Sequence, residues 1–182
     1  MKPRYKDLMY FLLLLFPALI YLFYFHSLIL FLTCCLVLFE KVIFGRINLL
    51  PIGGIEFTSI SIFLVTLKHG LVEGLFFVFF FVLSLPILIN LLLEDRWVIN
   101  PRFHPVTYGI GNLVDFACVV LISVLRFLKL DLFWSMLIFL LFKHGLNQKL
   151  SPSSKFLIEF PINLIFNLAL IYYLKPFLVP YL

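Results

Sequence analysis

The residues able to do chemistry stand out in this chain because they interrupt apolar sequence. In FLIEFPINLIFNLALIYYL, residues 156–174, Glu159, Asn163 and Asn167 recur at intervals of four. Four residues advance a helix by roughly 400°, so these side chains lie within about 40° either side of one line along it. A charge or amide facing hydrocarbon costs on the order of a few kcal/mol, so that face meets protein or a wet cavity. Asn112 and Asp115, three apart, share a face of another apolar segment, and Glu56 is followed by Thr58, Ser59 and Ser61. Carboxylates accept hydrogen bonds and amides both donate and accept, so the chemistry on offer is recognition of a small polar solute. Glu56, Asn112, Asp115, Glu159, Asn163 and Asn167 are the candidate binding residues. The same groups could instead join helices, at about 0.6 kcal/mol per interhelical bond. Glu159 has a structural account in the first turn of its helix, where the macrodipole favours a negative charge. Asp115, about nine residues into its segment by helical count, has none and is the acid that points most directly to function.

Other chemistries lack their residues. Cys34, Cys35 and Cys118 sit in apolar runs without metal-ligand spacing and read as small hydrophobes. His26, His69, His104 and His144 fall in four separate loops or helix ends, which argues against a metal centre. There is no H-E-x-x-H, G-x-S-x-G or P-loop, so we expect neither an enzyme nor a cofactor.

The elements that must position the polar set are membrane helices. The chain has 182 residues, 64% hydrophobic and 13% charged, and its apolar runs leave no polar block large enough for a soluble domain. We read segments at 8–24, 27–39, 55–67, 71–93, 106–125, 132–142 and 156–174. The second, third and sixth are too short as drawn to cross about 30 Å of hydrocarbon. The expectation is an all-α, polytopic integral membrane bundle of about six transmembrane helices, five to seven, forming a single domain over residues 1–182. The N-terminal MKPRYKD resembles the start of a signal peptide, but the apolar stretch after it is too long and has no A-x-A site, so the segment is expected to be retained. Pro17, Pro86 and Pro161 interrupt segments and read as structural kinks.

If all seven segments cross, ten cations (Lys2, Arg4, Lys6, Lys41, Arg46, Arg96, Arg102, Lys143, Lys149, Lys155) share one face and four (Lys68, Arg126, Lys129, Lys175) the other. This bias predicts a cytoplasmic N-terminus in a cell membrane. The net charge of +5 is then explained by orientation and anionic lipid, without nucleic acid.

Gly53 and Gly54 permit a bent entry before Glu56, and Gly70 and Gly74 in HGLVEG have the G-x-x-x-G spacing of a helix-packing face. At GGIEFTSISIFLVTLKHGLVEGLFFVFFFVLSL the chain resembles the substrate-binding S component of energy-coupling factor transporters, with a glycine-containing pair between two helices. The late helix with Asn163 and Asn167 is also similar to the last helix of that family. The resemblance implies about six helices that bind a small solute and dock onto a membrane subunit driven by ATPases. Ala18 as the sole alanine of the first segment departs from the A-x-x-x-A docking face common in that family. The same stretch resembles MreD, a scaffold component of the bacterial cell-shape machinery.

The expected function is a small-solute-binding subunit of a membrane transporter. Its expected partners are the lipid bilayer and membrane-protein subunits of a transport ATPase complex. The alternative is a non-enzymatic, MreD-like scaffold, in which Gly70 and Gly74 would hold partner helices.

Overall fold

The computed structural model describes residues 19, 27–40, 55–92, 110–152 and 156–178, and every element among them is helical. The segment read at 8–24, Leu19 apart, and the turns around Gly53 and Pro101 lie outside the described residues. Six helices follow one another: α1 Leu28–Leu38, α2 Phe57–His69, α3 in three stretches (Leu71–Phe77, Val78–Ser84, Leu85–Leu92), α4 Ile110–Phe127, α5 Leu132–Leu150 and α6 Phe156–Leu178.

Caps tie the helices end to end. Ser27 caps α1 by accepting from the Leu30 N–H, and its hydroxyl lies 3.1 Å from Nε2 of His69 at the end of α2. At the other end of this pair, Thr58 donates its N–H and its hydroxyl to the two carboxylate oxygens of Glu40, at 2.6 and 2.9 Å. The Glu40 carboxylate thus closes the open N-terminus of α2, where free N–H groups and the helix dipole favour an anion. Asp131 does the same for α5, accepting from the Phe133 N–H at 2.9 Å, while its other oxygen receives Lys175 near the end of α6 at 2.5 Å.

α2 is the hub. It packs against each of the other five helices, and Thr58 through Thr66 are all buried. A helix buried on every side needs small or apolar side chains all round, and FTSISIFLVTLKH supplies both. Its 13 residues rise only about 20 Å. Around it sits the apolar core, with Phe63, Phe77, Phe81, Met136, Phe139 and Ile171 fully enclosed.

α3 widens over Val78–Ser84 into π-helical turns, in which the Leu85 N–H reaches the Phe80 carbonyl and the Ser84 hydroxyl reaches that of Phe79. The wide stretch ends just before Pro86. In a regular helix the proline ring would clash with the carbonyl four residues back, and the wider turn relieves that.

The sixth segment, expected to end at Phe142, continues for two more turns to Leu150. Apolar content stops at Phe142, but KHGLNQKL stays helical, and its first residue, Lys143, turns into the core onto Glu56, Asp115 and Ser59. By length and apolar content, two helices among the described residues are able to cross a membrane: 71–88 within α3, and α6.

Candidate functional site

Along α5 the buried residues are Leu132, Ser135, Met136, Phe139, Leu140 and Lys143, a helical stripe that carries a cation into the core on its last step. Lys143 is only 3% exposed. Its ammonium lies 2.7 Å from Oε1 of Glu56, 3.0 Å from Oδ1 of Asp115 and 2.9 Å from Oγ of Ser59, which matches its three N–H donors. Taking ions out of water costs several kcal/mol each, and only close pairing with further hydrogen bonds offsets it. Glu56, just before α2, supplies such a bond through its second oxygen, which accepts from Nδ2 of Asn163 on α6 at 3.3 Å. Asn167 donates in turn to the side-chain and main-chain oxygens of Asn163, both at 3.0 Å.

One network therefore draws groups from α2, α4, α5 and α6. The fourfold spacing of Asn163 and Asn167 is realised as a bonded pair facing inward, and both are buried. Asp115 joins through Lys143. Asn112 lies one turn earlier on α4 and is half-buried.

The network borders a cleft of about 240 Å³ where α5 ends and α6 begins. Glu56 and Asn163 form its floor, His144, Asn147 and Gln148 line the α5 side, and Glu159 lines the α6 side. Phe156 and Phe160 complete the wall as a parallel stack with centroids 5.2 Å apart, and the His144 ring lies at the same distance from Phe160. Of the six sequence candidates, Glu56, Glu159 and Asn163 line the cleft, whereas Asn112, Asp115 and Asn167 do not. Asp115 and Asn167 instead hold the groups behind it.

Lys143, His144, Asn147 and Gln148 were not among the candidates. Lys143 is counted from the sequence among the cations of one membrane face, and its burial takes it out of that set. Two signals in the sequence pointed to it: the stripe of Met136, Phe139 and Leu140 continues onto it, and Glu56 and Asp115 lacked a buried counter-charge.

Gly70 adopts φ +106° between α2 and α3, in the left-handed region that glycine tolerates best, and a Cβ there would lie 2.8 Å from Arg126 Nη1. At Gly74 a Cβ would fall 2.4 Å from Thr66 Oγ1 and 2.9 Å from Val119 Cγ1. The glycine pair thus serves a turn and a close approach of α3 to α2 and α4 within this chain. Among the described residues no group of three or more His, Cys, Asp or Glu is placed to hold a metal ion. Comparison with protein-family models, curated proteins and solved structures returns no match.

Proposed function

We propose that the chain is a multi-pass membrane protein that binds a small polar solute in the cleft between α5 and α6, as the substrate subunit of a transporter. The observation that carries this is an inverted distribution of polarity. Ser59, Ser61, Thr66, Lys143, Asn163 and Asn167 are buried, while Leu113, Val124, Phe127, Ile165 and Tyr173 face outward, Ile165 at 68% exposure. Such an exterior suits hydrocarbon as the solvent, and polar groups then collect inside or around a wet cavity. α6, the most polar-spotted of the long apolar helices, is a poor fit for a soluble core helix because only 17% of its most apolar stretch is buried.

The helices alternate in direction. Glu40, the start of α2 and the α5–α6 junction with its cleft lie at one end, and His69, Arg126, Asp131 and Lys175 at the other. The sequences joining helices at the cleft end carry Lys41, Arg46, Arg96, Arg102 and Lys155. By the positive-inside rule this charge bias favours a cytoplasmic cleft. No nucleotide-binding motif is present, so active transport calls for partner ATPases or an ion gradient.

The scaffold reading is the less favoured, because Gly74, one of the residues that would hold partners, is already occupied by Thr66 and Val119. Native mass spectrometry of the full chain, gently extracted from its own membrane, separates the two. A discrete solute that is lost when Gln148→Trp fills the cleft supports a binding subunit. Companion proteins with no solute would move the assignment to a scaffold.

A further inference from the structure

We infer that the solute carries a positive charge: the cleft is built for a compact organic ammonium group. The inference rests on the cleft being a solute site and adds the chemical class of what enters it.

Charge balance is the first observation. Glu56 and Glu159 line the cleft, and Asp115 stands behind it, against the single ammonium of Lys143. Lys143 is engaged by Glu56, Asp115 and Ser59 with all three of its donors, so among the described lining residues no cation is left to meet an anionic solute. Lys149 is exposed on α5 and is not part of the lining. The two helix ends at the cleft oppose each other: α6 presents N–H groups, which Glu159 in its first turn answers, and α5 presents carbonyls at its C-terminus. The described lining residues carry an excess of negative charge in a site partly withdrawn from water, where a matching cation is attracted most strongly.

The uncharged groups agree with this. Phe156 and Phe160 offer stacked rings, whose faces attract cations through the ring quadrupole. The side-chain carbonyl of Asn147 in the lining can accept from an ammonium N–H. At about 240 Å³ the cleft is smaller than the usual site for a drug-sized molecule, which limits the solute to a small amine or quaternary ammonium compound.

The test is calorimetric titration of the full-length protein in detergent with four probes. Two are cations, ethanolamine and choline. One is 3,3-dimethyl-1-butanol, the uncharged isostere of choline, and one is the anion glycolate. At least one cation should bind at millimolar concentration or below, more tightly than the isostere or glycolate. Glu159→Gln should weaken cation binding by about tenfold, the loss of one charge-assisted contact. Phe160→Leu provides a second variant that leaves every charge in place, and it should weaken choline more than it changes the melting temperature. Equal binding of choline and its isostere, no binding of either cation, or unchanged affinity in a folded Glu159→Gln protein would each overturn the inference. Failure here and failure of the solute-binding reading are distinguishable. Binding of glycolate or the alcohol, or a neutral or anionic solute found by native mass spectrometry, keeps the binding subunit and discards the cation. An empty cleft in both experiments discards both.

Discussion

Lys143 sits among four helices with two carboxylates around one ammonium, so the consequence of each substitution follows from the charge it leaves behind. Lys143→Met strands Glu56 and Asp115 together without a cation and should cost about 3–5 kcal/mol, the scale for breaking a buried pair from one side. Asp115→Asn leaves one ammonium facing one carboxylate and should cost about 1–2 kcal/mol, the scale of one weakened hydrogen bond to a charged group. Melting temperatures in a single detergent measure the order of the two, and equal losses would show that charge balance is not what holds the network. Because Asp115 lies behind the cleft, its asparagine variant is also expected to retain solute. The acids and amides of this network were legible in the sequence, because each interrupts an apolar segment. Their cation was hidden. A lysine just past an apolar run looks the same whether its stem carries the charge outward or inward, and only the helix phase through Phe139 and Leu140 separates the two cases.

Between elements, the decisive contacts are close approaches and caps. Gly74→Val forces β-branched bulk into a space where even a Cβ meets Thr66 and Val119 at under 3 Å. It should destabilise by about 1–3 kcal/mol, the usual cost of overpacking, without altering solute affinity. Gly70→Ala should cost about 1–3 kcal/mol through its positive φ, since the Arg126 guanidinium, at the far end of a flexible side chain, can move aside. Stability curves for the two variants, with binding measured alongside, check both. Asp131 gives a pH signature. Its hydrogen bonds, to Lys175 first and then to the Phe133 N–H, hold its carboxyl below the usual carboxylate range. A depressed pKa stabilises the folded state above the ordinary value of about 4, and that contribution is lost as pH falls through the lower folded value. The protection of amides at the start of α5 against hydrogen exchange, relative to their intrinsic rates at each pH, should therefore fall in that acid window in the native chain and show no such step in Asp131→Asn. Element types were easy to foresee from apolar run length. The end of α5 was not, because hydropathy stops where the polar residues of a helix begin to serve the cleft and the buried network.

Across the molecule, α2 is enclosed by all the other helices, while the outer surfaces of α4 and α6 are apolar. Carbonate-resistant retention of the full chain in membranes is the expected outcome, and release into the soluble fraction would remove the membrane reading. The described helices alternate in direction, which run lengths alone left open for the three short segments. The enclosure of α2 was less visible, since a short run rich in serine and threonine resembles a loop or half-span until its neighbours are in place. This enclosure bears on biogenesis. On the membrane reading proposed above, α2, at about 20 Å and with four hydroxyl side chains in FTSISIFLVTLKH, is a poor substrate for the translocon when it emerges alone. Its neighbours α3 and α4 are made after it, so its final seat exists only once they have been synthesised. A chain truncated after α2 should leave this helix accessible to glycosylation or labelling reagents outside the membrane, and extension through α4 should protect it.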